Sequence, residues 1–396
     1  MNIKQFGGIL LITGNAIGGG MLALPLATAQ TGFLDSSLFL IVCWGIMLAG
    51  GLLILEVNLW FPPNSHLISM ARATLGVPGE IIAWLCYLLL LYALLAAYMA
   101  GGSDFLQGIL QKINLHFSTI VTTILFILCL GPIVYKGMHS VDLINRILMG
   151  GKLLIFFLLI LFLFPFISVK QLAQGNNIHY LPNSLTIIIT SFGFAAIIPS
   201  LRSYFHSNIK QLRQVIIFGS LIPLICYIFW NGAIMGVIPN HKLLTIAQSS
   251  QSASHLTNTL SHLLNKNSIT LFAWVFTSIC LATSFLGVGI SLSDFLLDGF
   301  ALSQTKKHKF IVYLLTFLPP LIVVLFYPAS FMLALNYAGI WCTVLLALLP
   351  ALMAWSGRYR QQINTTYRVM GGKKLLCLLI LCSSIIIAHA IIVDVF

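Results

Sequence analysis

Two long apolar runs contain residues that would interrupt a membrane helix and free its backbone groups for binding. Segment 14–20 holds four glycines and one asparagine and precedes Pro25, and segment 191–196 precedes Pro199. Glycine in such helices serves either close packing, with small residues at every fourth position, or local unwinding. Residues 18–20 are consecutive glycines, whose positions are spread around the helix axis instead of lining one face, so we favour unwinding. Because unpaired N–H and C=O groups are tolerated in a bilayer only where they line a cavity or bind something polar, we predict a binding site at the interruptions.

The composition excludes an ordinary soluble fold. Charged residues make up 7% of the 396 residues and hydrophobic residues 59%, whereas about a quarter of a soluble domain is charged. The chain is therefore expected to be an all-α protein that crosses a lipid bilayer many times. Apolar runs long enough to span a bilayer number eleven. They lie at about 5–29, 34–60, 80–107, 118–136, 146–168, 185–205, 212–238, 269–296, 310–328, 331–355 and 374–394.

Lysine and arginine are unevenly divided between the two sides that these spans define. Sixteen lie on the side of the N-terminus and four on the other side, and such residues concentrate on the cytoplasmic side of a membrane. We therefore expect a cytoplasmic N-terminus and, with an odd number of spans, a C-terminus on the outer side. The net charge of +12 then reflects topology, and no nucleic-acid partner is expected.

Several function classes lack their sequence patterns. There is no nucleophile paired with a base, no glycine-rich phosphate loop and no metal-ligand spacing, so we expect no enzyme activity, no cofactor and no metal site. The eight cysteines lie inside apolar runs and are expected to be small unpaired hydrophobes. A channel would need a continuous polar pore, and a receptor would need a large soluble domain; neither pattern is visible.

The two interruptions divide the chain into similar halves. They fall in the first and sixth spans, and their prolines lie 199 − 25 = 174 residues apart. Residues 1–168 and 185–355 then form two five-helix units of opposite orientation, because five is odd, and 374–394 forms one further helix. This is the inverted-repeat plan of secondary transporters, which hold their substrate at such breaks near the membrane midplane.

The longest outer loop, 239–268, has its own helical pattern. Leu256, Leu260, Leu263 and Leu264 follow one helix face. We predict a short amphipathic helix here, which would cover an outward opening.

Four motifs in the chain resemble those of the bacterial aromatic amino acid permeases. They are Gly14-Asn15-Ala16-Ile17-Gly18-Gly19-Gly20-Met21-Leu22-Ala23-Leu24-Pro25, Thr190-Ser191-Phe192-Gly193-Phe194 with Pro199-Ser200, Ala282-Thr283-Ser284-Phe285-Leu286-Gly287, and Phe317-Leu318-Pro319-Pro320. The resemblance runs along nearly the whole chain and is greatest with the tyrosine-specific members. It differs after Phe194, where the tyrosine permease pattern has His followed by Gly and this chain has Ala195-Ala196.

Membership of this family would imply a fold and an activity. The fold is the LeuT type of the amino acid–polyamine–organocation superfamily, with eleven transmembrane helices in a 5+5 inverted repeat, helices 1 and 6 broken and helix 11 peripheral. The activity is proton-coupled symport of an aromatic amino acid, with tyrosine the first expectation, into the cytoplasm across the bacterial inner membrane. The sequence leaves the order of preference among tyrosine, tryptophan and phenylalanine open.

An amino acid would match both polarities of an interrupted helix. Freed N–H groups at the start of the second half of span 1 suit a carboxylate, and freed carbonyls suit an ammonium. The expected backbone partners are Gly18, Gly19 and Gly20 for the carboxylate and Asn15, Ala16, Ile188 and Ser191 for the ammonium. For the substrate side chain Phe194 is the first choice, and the resemblance adds Tyr92, Tyr98, Phe285, Asn336 and Tyr337.

Lys152 is the first candidate for coupling transport to an ion. It lies several residues into span 5, where a lysine that faces the bundle interior is costly unless it has a function. The alternative is that it extends to the cytoplasmic surface. The resemblance implies that its ammonium takes the place of sodium near Thr283, Ser284 and the carbonyls of Gly14 and Ile17. Sodium held by the same oxygens is the alternative, and a lysine at position 152 favours protons.

Glu56 is the second candidate for proton handling. It lies near the inner end of span 2, and Asp104 and Asp294 follow it in rank at the ends of spans 3 and 8. Carboxylates near span ends often only pair with lysine or arginine at the interface, and that alternative is strong for all three.

Overall fold

The computed structural model is helical throughout the part of the chain that it describes. No residue of that part lies in a β-strand. The described residues are 3–63, 65–174, 180, 182, 184–205, 208–249, 252–264, 266–300, 305–327, 330–363 and 367–395.

The helices vary from short connecting turns to elements longer than a bilayer is thick. Their bounds are α1 Ile3–Ala16, α2 Gly19–Ala27, α3 Phe33–Leu59, α4 Leu67–Leu75, α5 Val77–Lys112, α6 Thr119–Lys136, α7 Met138–Leu163, α8 Val169–Leu172, α9 Leu185–Ser191, α10 Ile198–Tyr204, α11 Ile209–Val237, α12 Asn240–Gln248, α13 Ser252–Leu264, α14 Asn267–Gly299, α15 Lys306–Phe326, α16 Ser330–Thr343, α17 Leu349–Trp355 and α18 Gly372–Val395. Helix α9 joins α10 through a 3₁₀ segment, Gly193–Ile197, and two π segments, Val344–Leu348 and Ser356–Arg360, flank α17.

Ten helical stretches in the described residues are long and apolar enough to cross a membrane, and the bent pair formed by α1 and α2 raises the number to eleven if it is one span. The structure therefore supports a multi-pass membrane protein with about ten spanning helices. Their positions agree with the apolar runs of the sequence. Several helices extend past those runs, as α5 and α7 do, because a helix continues into the interface where apolar side chains are no longer needed.

A buried carboxylate anchors the helix that the sequence predicts in the loop 239–268. Helix α13 packs on α5 and α14, and α12 packs on α2. The Asp104 carboxylate of α5 accepts the N–H groups of Ala253 and Ser254, at 3.0 and 3.1 Å, and the Ser254 hydroxyl at 2.6 Å. A carboxylate is favourable at a helix N-terminus, because it accepts N–H groups that have no partner within the helix. Asp104 therefore fixes the start of α13 to the end of α5.

A buried ion pair joins two segments that lie 302 residues apart in the chain. The Arg358 guanidinium contacts both oxygens of the Glu56 carboxylate, at 2.7 and 2.5 Å, and the side chains are 2% and 0% exposed. The Val369 N–H donates to the same carboxylate at 2.6 Å. Glu56 lies near the end of α3, Arg358 follows α17, and Val369 precedes α18. Glu56, the second candidate for proton handling, thus joins three elements and pairs with an arginine, as its alternative role requires.

Arg202 makes a comparable contact beside this pair. It donates from α10 to the carbonyl of Asn58, to the Asn58 side chain at 3.1 Å and to the carbonyl of Phe61 at 2.8 Å. The helix that follows the second interruption is therefore fixed to the end of α3.

We predict that Glu56→Gln destabilises the protein by about 3–5 kcal/mol, because it leaves the Arg358 charge buried without its partner. The midpoint of thermal unfolding in detergent measures this loss. The control is Asp142→Asn, which breaks the Asp142–Arg146 pair, whose side chains are 38% and 78% exposed; such pairs contribute about 0–1 kcal/mol. Equal midpoints for the two variants would contradict the anchoring role of Glu56.

Candidate functional site

The first interruption is a sharp change of direction between α1 and α2. Helix α1 ends at Ala16, α2 begins at Gly19, and the two axes differ by 52°. Gly18 between them is extended, with φ −154° and ψ −153°. The Gly19 N–H, in the first turn of α2, donates to the hydroxyl of Ser284 on α14 at 2.9 Å. The unwinding predicted from the three consecutive glycines is therefore present, and a neighbouring helix satisfies one freed donor.

The second interruption is less abrupt. Helix α9 ends at Ser191, the 3₁₀ segment Gly193–Ile197 follows, and α10 begins with Pro199 in its first turn. The Ser191 hydroxyl donates back to the Ile187 carbonyl at 2.9 Å. The two interruptions lie side by side, since a Cβ added to Gly20 would lie 3.2 Å from the Ser191 hydroxyl oxygen.

A tyrosine that sequence reasoning missed connects the interruptions. The Tyr227 hydroxyl of α11 lies 2.7 Å from the carbonyl oxygen of Ala16 and 2.7 Å from that of Ser191, and its side chain is completely buried. A hydroxyl has one proton and donates to one carbonyl at a time. The two carbonyls, which sequence analysis assigned to an ammonium, therefore converge on one point. The only sequence signal was a phenol in the middle of an apolar helix.

Tyr98 is the predicted aromatic residue that the structure brings closest to the first interruption. It lies on α5 and is 8% exposed. A Cβ added to Gly19 would lie 2.6 Å from the Tyr98 ring, closer than real Cβ atoms approach. Gly19 is therefore required for α2 to begin against this ring.

The Lys152 side chain reaches the same interruption from α7. Its Nζ donates to the carbonyl of Ile17, and it is 2% exposed. Among the described residues this is its one hydrogen-bond partner, and the Cys280 thiol is an electrostatic neighbour. The ammonium therefore lies inside the bundle, and the alternative that it extends to the surface is wrong.

The oxygens predicted beside Lys152 are only partly engaged with it. The Thr283 hydroxyl bonds within its own helix, to the carbonyls of Ile279 and Cys280 at 2.7 and 3.2 Å. Ser284 accepts from Gly19. Gly14 faces the Met149 side chain, and a Cβ there would lie 2.7 Å from its sulfur.

Comparison with known proteins identifies the family of this chain. The model of the tryptophan/tyrosine permease family matches residues 1–390. The chain belongs to the tryptophan/tyrosine permease family. It is 34% identical over 386 residues to the tyrosine-specific transport system 2 of Haemophilus influenzae, with 97% of this chain and 95% of that protein covered. It is 31% identical to the tryptophan-specific transport protein of Shigella flexneri, with 94% and 91% covered.

A third relative has a different substrate in its name. The glutamine transporter 2 of Aliivibrio fischeri is 32% identical over 393 residues, with 96% of this chain and 97% of that protein covered. All three relatives are transporters, so this permease is a multi-pass bacterial membrane transporter and not an enzyme.

The first-choice aromatic residue of the permease, Phe194, belongs to the second interruption. It is buried in the 3₁₀ segment, and one edge of its ring lies 3.4 Å from where a Cβ on Gly51 of α3 would be. Ala195, where the tyrosine permease pattern has His, is also fully buried and faces the same helix. At the position where the family pattern has His, this chain therefore has Ala195, which packs against α3.

The other predicted side-chain residues have partners away from the two interruptions. Phe285 packs against Phe126 and Phe317, with ring centroids 5.0 and 5.4 Å apart. The Tyr92 hydroxyl donates to the Leu315 carbonyl at 2.8 Å. The remaining two residues, Asn336 and Tyr337, lie on α16. The Asn336 side chain accepts from the Thr186 hydroxyl of α9 at 2.8 Å, and Tyr337 is 38% exposed. Asn15 is exposed and Ile188 buried.

No metal cluster is found in the described part of the permease. Among the described residues no three or more His, Cys, Asp or Glu side chains lie together in a way that could hold a metal ion.

We predict that Gly19→Ala lowers substrate uptake at least about tenfold, because the new methyl group displaces the start of α2 from the Tyr98 ring. The matched control is Gly45→Ala on α3, where an added Cβ meets nothing within 4 Å. Uptake of labelled amino acid into proteoliposomes, normalised to inserted protein, compares the two variants. Uptake by Gly19→Ala at the level of the control would mean that the glycine serves packing alone.

Proposed function

We propose that this permease is a secondary active transporter that moves an aromatic amino acid, first of all tyrosine, into the cytoplasm together with protons. The observation that carries the proposal is the convergence of the Ala16 and Ser191 carbonyls at the Tyr227 hydroxyl. The Tyr227 hydroxyl has one proton and can satisfy only one of the two carbonyls at a time, whereas an ammonium has three N–H donors and can satisfy both. The two carbonyls therefore form a place where the substrate ammonium can bind. The tyrosine and tryptophan names of two relatives support the substrate class.

The carboxylate of the same substrate would bind at the start of α2. The Gly18, Gly19 and Gly20 N–H groups lie at the N-terminus of this helix, which favours an anion. The Ser284 hydroxyl holds the Gly19 N–H in this conformation. A bound carboxylate would accept that N–H in place of the hydroxyl. Ammonium and carboxylate would then lie on opposite sides of one interruption, as in a zwitterion.

The aromatic side chain of the substrate would extend away from these groups. Tyr98 lies against the first interruption, and Phe194 lies in the 3₁₀ segment of the second interruption. We propose these two residues as the first contacts of the substrate side chain. Tyr92, Phe285, Asn336 and Tyr337 would contribute only in a conformation in which their present partners have moved.

The proposed architecture is the LeuT-type repeat with eleven spans, an N-terminus in the cytoplasm and a C-terminus in the periplasm. Residues 1–168 and 185–355 would form the two inverted units, and the helix at 374–394 would lie outside them. The interruptions support this plan, since they fall in the first and the sixth candidate span. Alternating access would expose the site between them to each side of the membrane in turn.

Lys152 is the proposed proton carrier. When charged, it donates to the Ile17 carbonyl, next to the extended Gly18. When neutral, it would hold that carbonyl less strongly, because hydrogen bonds from an ionised donor are about twice as strong as neutral ones. Protonation would thereby bias the position of the first interruption. Glu56 is less suited to this role, because Arg358 and Val369 already engage its carboxylate.

Sodium coupling within the same fold is the alternative. A sodium ion would need the oxygens of Thr283, Ser284, Gly14 and Ile17, and hard oxygen ligands suit it. The Ile17 carbonyl already receives the Lys152 ammonium, and the Thr283 hydroxyl bonds within its own helix. A buried lysine at this position would also repel a sodium ion, so protons are favoured.

Glutamine is the second candidate substrate. One relative of similar identity is named a glutamine transporter, and this chain lacks the His-Gly pair that follows Phe194 in tyrosine permeases. The zwitterion contacts would be the same for both substrates, so the difference would be found only around the side chain.

We predict that purified permease in proteoliposomes accumulates labelled tyrosine under an inward proton gradient. Unlabelled tryptophan and phenylalanine should compete, and glutamine and leucine should not, because an aromatic pocket binds them weakly. An inward sodium gradient imposed alone is the control for the ion. Accumulation driven by sodium would reverse the choice of ion, and competition by glutamine alone would reverse the choice of substrate.

We predict that Lys152→Gln abolishes accumulation under a proton gradient, while exchange of internal for external substrate, which needs no net proton movement, persists. The matched control is Lys136→Gln, since Lys136 is exposed at the end of α6 and should leave accumulation unchanged. Full accumulation by Lys152→Gln would rule out this lysine as the proton carrier.

A further inference from the structure

Three aromatic side chains from three helices form a buried cluster near Lys152. Phe156 of α7, Trp230 of α11 and Phe276 of α14 have ring centroids 5.4 to 6.5 Å apart. Their exposures are 7%, 2% and 0%. We call these three residues the aromatic plug.

The aromatic plug lies one helical turn from the proposed coupling site on each of its helices. Phe156 follows Lys152 by four residues, and Phe276 precedes Cys280 by four. Residues separated by three or four positions lie above one another on one helix face. On α11, Trp230 follows by three residues the tyrosine that bridges the two interruptions.

All three rings lie on the same side of Lys152. The ends of α7 and α11 are neighbours, because the Ser168 N–H donates to the Gly236 carbonyl at 2.8 Å. The beginning of α14 lies at this end too, since α12 and α13 connect it to α11 by short links. The plug therefore separates the Lys152 ammonium from the end of the bundle that α12 and α13 cover. In the proposed topology this is the outer side.

The other side of Lys152 is different in character. One face of α14 continues from Phe276 and Cys280, which are buried, to Ser284 and Gly287, which are half-buried, and Ser291, which is exposed. A Cβ added to Gly287 would meet nothing within 4 Å. The face becomes polar and accessible as it approaches the Gly299 end of the helix. Packing along α14 is therefore looser on this side of Lys152, which is the inner side in the proposed topology.

We infer that the aromatic plug is the barrier that keeps Lys152 from exchanging protons with the outer side in this conformation. Protons cross a barrier in proteins along hydrogen-bonded water. The three packed rings offer water one polar atom, the buried Trp230 indole nitrogen, and its N–H can only donate, so it cannot relay a proton. The ammonium would give its proton to water on the Ser284 side, leaving a neutral amine. Phe156, Trp230 and Phe276 do not contact the substrate or carry the proton; they act on Lys152 by excluding water from one side of it. The inference rests on the proposed role of Lys152.

The test is a proton leak measured without substrate. Full-length permease is reconstituted in vesicles that contain a pH-sensitive dye, and a proton gradient is imposed. We expect Phe276→Ala to raise the leak at least about tenfold over wild type, because the cavity admits water to Lys152. The matched control is Phe272→Ala, one turn before Phe276 on α14. Phe272 stacks on Phe162 of α7 at 5.4 Å and lies between the same two helices, but outside the plug.

Two further variants separate this inference from general damage to the fold. Trp230→Phe keeps an aromatic ring in the plug and should stay as tight as wild type. Phe276→Leu, a smaller change, should leak measurably if the alanine variant does not fold. Leaks of equal size in Phe276→Ala and Phe272→Ala, or a tight Phe276→Ala and a tight Phe276→Leu, would overturn the inference.

The double variant Lys152→Gln with Phe276→Ala shows whether the leak passes through the lysine. We expect its leak to return to the wild-type level, because a glutamine carries no proton. A leak that persists undiminished would mean that the plug does not act on Lys152. Failure of the proposed function gives a different result, because Lys152→Gln alone would then accumulate substrate normally, whatever the leak of Phe276→Ala.

A labelling experiment provides a readout independent of transport. Cys280 is buried, is an electrostatic neighbour of Lys152 and lies one turn after Phe276 on α14. A membrane-impermeant thiol reagent added from outside, with the modified peptide identified by mass spectrometry, should label Cys280 in Phe276→Ala but not in wild type or Phe272→Ala. Labelling of Cys280 in the wild-type protein would contradict a closed plug.

Discussion

The need to satisfy freed backbone groups inside a bilayer governs the centre of this permease. An unpaired N–H or C=O group in hydrocarbon costs several kcal/mol, so a broken helix survives only where other groups replace its lost hydrogen bonds. Here the replacements come from three different helices: Tyr227 of α11, Ser284 of α14 and Lys152 of α7. Each interruption is therefore held by side chains of other helices, and its position depends on how those helices pack.

Two kinds of buried polar contact follow from this arrangement. At Glu56 and Asp104 a carboxylate has several donors, from Arg358 and Val369 or from the start of α13, and no ligand could replace them without leaving a buried charge unpaired. At the interruptions two of the partners, Tyr227 and Ser284, are neutral hydroxyls, which a ligand can displace at smaller cost. The carboxylate contacts therefore act as fixed anchors, and the hydroxyl contacts mark the place where binding can change the structure.

The parts of this picture that the sequence predicted depend on local patterns. Consecutive glycines located the first interruption, and apolar length located the spans. Tyr227 could not be found in this way, because a tyrosine in an apolar run acquires its partners only when spans 1, 6 and 7 pack together. Phe285 and Tyr92 were chosen by resemblance, and their contacts with Phe317 and Leu315 depend on the packing of α15. Lys152 was ambiguous until the Ile17 carbonyl showed which way its side chain extends.

The placement of these contacts makes a long coupling pathway unnecessary. The Ala16 carbonyl faces Tyr227, the next carbonyl, of Ile17, accepts from Lys152, and the Gly19 N–H faces Ser284. Substrate ammonium, coupling proton and substrate carboxylate would thus act within four consecutive residues, around the extended Gly18. Rotation of one peptide group there would change the partners of both ligands. Linkage requires that if a proton strengthens substrate binding, the substrate strengthens proton binding equally, and a shared hinge of this size supplies such reciprocity directly.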